Sequence, residues 1–223
     1  MLSIVSTPIG NLKDITLRAI ETLKSVDLIA AEDTRHTQIL LKTYEIHTPT
    51  TSYYEHNAFS KSKYLLGLLQ EGKNIAVVTD AGTPGISDPG YLLIKLAKEN
   101  NIPVTVIPGP TALIAALSLS GAPAHSFIFE GFLPVKPGAR QKKLAELKSE
   151  KRTIIFYEAP HRVVKTLEDI KEVLGDPVVI CAREITKKFE EVKKDRASRL
   201  LEEFRAQKPR GEFVLILNMS EMP

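Results

Sequence analysis

Val77-Val78-Thr79-Asp80-Ala81-Gly82-Thr83-Pro84-Gly85-Ile86-Ser87-Asp88-Pro89-Gly90 is the stretch that decides the fold. The apolar run Ile75 to Val78 stops at a turn, Asp80 to Gly90, that holds three glycines, two prolines, two aspartates and two hydroxyls. A helix-like run, Tyr91 to Ala97, follows. Buried strand, special loop and helix in succession make one βα unit. In an open α/β sheet, ligands sit outside the carboxyl ends of such strands. Glycine lets a backbone come close to a ligand and proline fixes its path. This composition marks a ligand loop rather than a plain connector.

Outward from that loop the same alternation repeats. Strand-like runs lie at Leu2–Ser6, Leu28–Ala31, Thr51–Tyr54, Ile75–Thr79 and Val104–Ile107. Helical patterns lie at Thr16–Ser25, Thr34–Tyr44, Phe59–Gln70 and Ala112–Ser120. Strands alternating with helices predict parallel βα units. Gly121-Ala122-Pro123 breaks the pattern, so the domain boundary is expected there, giving an α/β domain over 1–120 and a second over 121–223. The second half carries strands at Phe127–Phe132, Thr153–Tyr157, Val178–Ala182, Phe189–Val192 and Phe213–Leu217. Helices are expected at 139–150, 162–174 and 197–206, which gives a mixed sheet.

Charge divides the halves. Residues 1–134 are slightly acidic, whereas 135–152 holds Lys136, Arg140, Lys142, Lys143, Lys148, Lys151 and Arg152 against Glu146 and Glu150. Residues 183–210 add ten basic against six acidic side chains. Such a patch suits a phosphate backbone, and a solvated helix face is the plainer account. The single cysteine, Cys181, sits in an apolar run, which predicts a buried thiol and a reducing, cytoplasmic setting. No run approaches the ~18 apolar residues of a membrane span, and Met1 leads straight into a strand-like run without a signal peptide. Neither G-x-G-x-x-G nor a Walker loop occurs, and the five histidines lack metal spacing, so no metal site is expected.

Four loops follow strand ends in the first half: Ser6 to Leu12, Glu32 to Arg35, Asp80 to Pro89, and Pro108 to Thr111. Parallel strands would gather all four at one sheet edge, in a cleft suited to a polar, nucleoside-like ligand.

The motifs Thr7-Pro8-Ile9-Gly10-Asn11-Leu12, Ala31-Glu32-Asp33-Thr34-Arg35, Ser52-Tyr53-Tyr54-Glu55-His56-Asn57, the Asp80–Gly90 loop and Pro108-Gly109-Pro110-Thr111-Ala112 closely resemble the tetrapyrrole methylase superfamily. Phe129-Glu130-Gly131-Phe132-Leu133-Pro134, Tyr157-Glu158-Ala159-Pro160-His161-Arg162 and Ala182-Arg183-Glu184-Ile185-Thr186-Lys187 extend the resemblance over about Ser3 to Leu217. Eight motifs in order are specific where each alone is weak. Together they are similar to the branch that methylates the ribose 2′-hydroxyl of a cytidine in the decoding region of 16S ribosomal RNA.

The resemblance implies S-adenosylmethionine as donor, bound in a cleft between two α/β domains, and a homodimer acting on the small ribosomal subunit, with no membrane or DNA partner. It implies cofactor contacts from Pro8, Gly82, Thr83, Ile86, Ser87, Thr111, Ala112, Tyr157 and Glu212. Thr83 stands where tetrapyrrole enzymes carry Asp, which leaves that contact to a neighbour such as Asp80 or Asp88. Many relatives also run several dozen residues past the last strand. A ribose hydroxyl is a poor nucleophile, so a base or a nearby cation should assist. Glu32, Asp33 and Glu184 are the candidate bases; Arg35, Arg162, Arg183 and Lys187 are the candidate cations. Helix capping is the other role open to Asp33, and an ion pair the other role open to Arg183 and Glu184. Lys136, Arg140, Lys142, Lys143 and Lys187 form the expected RNA footprint. The competing readings are a porphyrinoid methylase and a non-catalytic ribosome-binding protein of the same fold.

Overall fold

The computed structural model describes residues 1–219. The chain divides into two units, Met1–Thr111 and the chain from Ala112 on. In the first unit the elements run β1 (Leu2–Val5), α1 (Leu17–Ser25), β2 (Leu28–Ala31), α2 (Thr34–Thr43), β3 (Thr50–Ser52), α3 (Ala58–Gln70), β4 (Ile75–Val78), α4 (Tyr91–Glu99) and β5 (Val104–Ile107). The strands form one parallel sheet in the order β3-β2-β4-β1-β5. The strands β1 and β4 are buried along their whole length; β4 is an unbroken apolar run, and β1 is interrupted only by buried Ser3.

Alternate side chains feed two cores. Val5, Ile29, Ala31, Ala76, Val78 and Ile107 pack with α1 and α2. Leu2, Ile4, Ala30, Ile75 and Val77 pack with α3 and α4 on the opposite face. Burying each large aliphatic side chain there contributes about 2 kcal/mol. Thr16 starts α1, its hydroxyl accepting the Ala19 N–H at 3.1 Å, and Asp33 starts α2 by accepting the Arg35 N–H at 2.8 Å.

The second unit runs α5 (Ala112–Ser120), β6 (Phe127–Phe132), α6 (Pro137–Glu146), β7 (Thr153–Glu158), α7 (Val163–Leu174), β8 (Val178–Arg183), β9 (Glu191–Arg196), α8 (Ala197–Ala206) and β10 (Phe213–Asn218). Its sheet order is β6-β7-β10-β8-β9, with β6 and β7 parallel and the other pairs antiparallel, the mixed sheet expected. Phe213, Leu215 and Leu217 of β10 face a core built with α6, α7 and α8.

Two details differ from the sequence expectation. Helix α5 joins the second unit, where it packs against β7 to β10, so the chain divides nine residues before the boundary placed after 120. The strand expected at 189–192 lies instead at Glu191–Arg196. Its sequence, EVKKDR, has no apolar alternation because it is an edge strand, and edge strands carry charge that discourages pairing with other chains. No helix of the described residues is long and apolar enough to cross a membrane.

Candidate active site

The first unit brings its four loops to one sheet edge. Strands β1 and β2 lead into helices on the α1/α2 face, whereas β4, which lies between them, leads into α4 on the other face. The loop after β4 is therefore flanked on both sides by loops that leave in the opposite direction, the arrangement that opens a crevice in such sheets.

Backbone and hydroxyl bonds lace this edge. Thr7 N–H donates to the Gly82 carbonyl at 2.8 Å and Gly82 N–H returns to the Thr7 carbonyl at 3.1 Å, a two-bond bridge between the β1 and β4 loops. The Thr7 hydroxyl donates to the Thr79 carbonyl at 3.0 Å. Thr83 Oγ1 lies 2.8 Å from both Ser6 Oγ and Thr111 Oγ1, so one hydroxyl ties three loops together. Gly109 is required sterically, since a Cβ there would sit 2.9 Å from Ser6 Cβ. Ser87 adopts a left-handed φ of 65°, uncommon for a side-chain-bearing residue and the kind of strain that concentrates at functional loops. Pro8 is buried beneath this edge, whereas Ile86 is 38% exposed.

Between β2 and β4 the groups are acidic. Thr79 Oγ1 donates to Glu32 Oε2 at 2.5 Å, and Asp80 N–H donates to the same oxygen at 3.2 Å. Asp33 N–H donates to Asp80 Oδ1 at 3.1 Å. Burial, with Glu32 and Asp33 nearby, raises the Asp80 pKa. Burial first, then the charges of Glu32 and Asp80, push Asp88 up to about 6. Asp33 behaves oppositely: its bonds from the Arg35 side chain and backbone lower its pKa. It caps α2 and pairs with an outward-pointing Arg35 at 3.2 Å. The capping role thus accounts for Asp33, and Arg35 is occupied by it. Sequence reasoning missed Ser6 and Thr79. Each is the first hydroxyl beyond a buried strand, and that position was the available signal.

The second unit redirects several expected roles. Arg140, expected on an RNA-facing surface, is 3% exposed, and its Nε pairs with buried Asp169 Oδ2 at 2.5 Å while its Nη1 donates to the Val135 carbonyl at 3.1 Å. Its place in helix α6 explains this correction: Arg140, Leu144 and Leu147 share the buried face. Arg162 is similarly committed. It pairs with buried Glu158 at 3.2 Å and donates to the Leu133 carbonyl, which ties the loop after β6 to the start of α7. Lys136 and Lys142 are exposed, and Lys143 is half-buried against Glu130 at 2.7 Å.

Arg183 pairs with Glu191 at 3.5 Å. Glu184 and Thr186 both take left-handed φ values, 51° and 67°. The Glu184 carboxylate accepts from Lys187 Nζ at 2.9 Å and from the Glu212 N–H at 3.0 Å. Lys187 Nζ also donates to Glu212 Oε2 at 2.7 Å. Burial opposes the Lys187 charge, but the two carboxylates outweigh it and raise its pKa. Gly211 admits no side chain, because a Cβ would overlap Glu184. Glu184 is therefore held as an ion-pair partner. The Tyr157 hydroxyl accepts the Leu113 N–H at 3.1 Å, next to Ala112 in the first turn of α5, and its ring lies edge-on to Phe129 and Phe132. The described residues hold no cluster of three or more His, Cys, Asp or Glu side chains able to bind a metal.

Comparison with known proteins agrees with this architecture. The chain is 48% identical over 220 residues to the ribosomal RNA small subunit methyltransferase I of Thermotoga maritima, covering 99% of each chain. It is 51% identical over 218 residues to the protein of that name from Synechocystis sp., covering 97% of this chain and 78% of the other. For that of Escherichia coli O157:H7 the figures are 49% over 219 residues, 97% and 77%. Among solved structures, cobalt precorrin-4 methyltransferase superposes with a TM-score of 0.71 at 19% identity, covering 100% of this chain and 96% of the other. A uroporphyrin-III C-methyltransferase from Thermus thermophilus, complexed with S-adenosylhomocysteine, gives 0.68 at 17%, covering 98% and 97%. These structural likenesses establish the fold. The family model for tetrapyrrole (corrin/porphyrin) methylases matches residues 1–201, and with its parallel sheet, laced strand-end loops and mixed second sheet the chain belongs to that family.

Proposed function

We propose that this protein is an S-adenosylmethionine-dependent methyltransferase of small-subunit ribosomal RNA, acting on the ribose 2′-hydroxyl of a cytidine in the decoding region of 16S RNA. The observation that carries the reading is the 48% identity to a ribosomal RNA small subunit methyltransferase I over 99% of both chains. Solved porphyrinoid methylases, at 19% identity or below, support only the shared fold.

The residues at the first sheet edge suit the donor. It supplies an electrophilic methyl on a positively charged sulfur. Neutral hydroxyls at Ser6, Thr83 and Thr111 offer donors and acceptors for its polar ends, with the backbone of Gly82 to Ser87 alongside. Pro8, Ile86 and Ser87 are the proposed apolar and backbone contacts. The carboxylates of Glu32, Asp80 and Asp88 favour a cationic ligand over an anionic one. The reaction then rests mainly on positioning, with a base removing the hydroxyl proton. Lys136, Lys142 and Lys143 are the proposed phosphate contacts, Arg140 being withdrawn from that set by its burial. A cytoplasmic homodimer completes the reading.

Incubation with radiolabelled S-adenosylmethionine and unmethylated small ribosomal subunits tests it. Label at a single 2′-O position of 16S RNA is the expected result. Label that enters a porphyrinoid, or no RNA at all, refutes it.

A further inference from the structure

Arg140 and Arg162 are held in ion pairs with the buried carboxylates of Asp169 and Glu158. Both also donate to one short segment. Arg162 Nη2 donates to the Leu133 carbonyl. Arg140 Nη1 donates to the Val135 carbonyl at 3.1 Å and reaches that of Pro134 at 3.5 Å. Three successive carbonyls between β6 and α6 are thus fixed by guanidinium groups that are themselves anchored.

The strand leading into this segment is irregular in a directed way. Along β6, Ile128 packs with the helical core and Glu130 meets Lys143 of α6, so the even-numbered side chains point to that face. Phe132 would come next. Gly131 interrupts the alternation with a left-handed φ of 62°. The pairing with β7 slips there, from Phe129 opposite Ile155 to Phe132 opposite Tyr157, so three residues of β6 pass while two of β7 do. Leu133 takes the core place, 2% exposed. Phe132 turns to the other face, where its ring lies 5.8 Å from that of Tyr157, edge-on, with Phe129 against the same tyrosine. Phe132 stays 51% exposed. Packing gains nothing from this, since an aromatic that regular alternation would bury is left half in water. Bulges re-aim side chains in this manner beside functional sites.

Positive charge adjoins the ring in sequence. Lys136 and Lys142 are exposed, and neither makes an ion pair among the described residues. Unpaired RNA bases stack on open aromatic faces while cations take their phosphates, and this segment offers both.

We infer that Phe132 is a stacking platform for an unpaired base of the RNA substrate, with Lys136 on an adjoining phosphate and with Arg140 and Arg162 as positioning residues that hold the loop. This rests on the proposed RNA methylation. Stacking tolerates every base, so Phe132 contributes affinity rather than sequence choice.

Phe132→Leu and Phe132→Tyr separate stacking from apolar contact, since leucine keeps an apolar side chain without a π face. Single-turnover methylation of unmethylated small ribosomal subunits, at saturating S-adenosylmethionine, gives an apparent Kd for the subunit and a limiting rate. Phe132→Leu should raise that Kd about tenfold, with the limiting rate and S-adenosylhomocysteine affinity within about threefold of wild type. It removes no charge, so the slope of log K against log salt should stay as it is, whereas Lys136→Ala should reduce that slope by about one. Phe132→Tyr should bind as wild type does. Arg162→Lys keeps a cation for Glu158 but loses the fork that reaches Leu133. It too should raise the Kd, and added to Phe132→Leu it should raise it little further, because it acts through the ring.

Wild type that labels RNA while Phe132→Leu binds it within about twofold of wild type overturns the inference alone. So does Phe132→Tyr binding no better than Phe132→Leu. A change in molecular mass on Phe132→Leu, read by sedimentation, places the ring between two copies of the chain and overturns it as well. Full additivity of Arg162→Lys with Phe132→Leu overturns the positioning role of Arg162. Wild type that labels no small-subunit RNA overturns the proposed function and the inference with it.

Discussion

The strand-end loops of the first unit and the 135–152 stretch around α6 in the second were both marked by composition, one by Gly, Pro and hydroxyls, the other by positive charge. The structure treats them oppositely. The loops gather into one laced edge, with Thr83 joining Ser6 to Thr111 and Thr7 bridging to Gly82. The basic face divides, keeping Lys136 and Lys142 outside and taking Arg140 into a buried pair with Asp169. Glycine and proline state a backbone requirement that holds wherever the loop lies. A charged side chain states only that it needs water or a partner, and helical phase decides which.

The largest expected effect would test that division directly. Arg140→Ala leaves the Asp169 side chain buried at 6% exposure without its guanidinium partner, with Gln141 donating at 2.8 Å as partial compensation. Breaking a buried ion pair in this way costs about 3–5 kcal/mol. Denaturant unfolding should show a loss of that order. Arg140→Met combined with Asp169→Leu, which removes both charges, should recover most of it. A surface arginine would instead give a change within about 0.5 kcal/mol for the single variant, and the comparison between the regions would fail.

A smaller effect separates the outer lysines from their buried neighbour. Lys142→Ala with Lys143→Ala removes one exposed cation and one that is paired with Glu130. RNA affinity should fall about tenfold, with the slope of log K against log salt reduced by about one to two, because phosphate contacts act through counterion release. Cofactor affinity and melting temperature should hardly move. Unchanged RNA binding would make α6 an ordinary solvated helix and empty the second region of function.

The same contrast explains what was legible beforehand. Five parallel βα strands followed from apolar runs ending at special loops, and the mixed second sheet from the run of strands beyond 121. The phase of α6 was also readable, since Arg140 stands four and seven residues before Leu144 and Leu147. Net charge alone concealed it. The bond from Thr79 to Glu32 was not readable. It joins two residues 47 positions apart in the chain, and no local pattern encodes that meeting. Glu184 looked like a base in sequence because its Lys187 and Glu212 partners sit on a strained loop and a distant turn.

The least expected change in stability, and the finest test of the first region, lies at Thr83. Its hydroxyl meets Ser6 and Thr111 at 2.8 Å each, two partly buried contacts in which either oxygen can donate, so Thr83 can donate to one and accept from the other. Thr83→Val keeps the shape and the branched Cβ but removes that oxygen, at a cost of about 1 kcal/mol. If the three loops owe their arrangement to backbone bonds, the Thr7–Gly82 bridge will hold them and the melting temperature will drop by only a few degrees. The hydroxyls of Ser6 and Thr111 would then turn toward ligand or water, and S-adenosylmethionine affinity should fall by more than the stability loss explains. Calorimetric titration beside thermal unfolding separates the two. Thr83→Ser, which restores the oxygen, should recover the affinity. An affinity unchanged in Thr83→Val would mean that the lacing is structural only, and that glycine and proline, rather than the hydroxyls, carry the cofactor contacts of this edge.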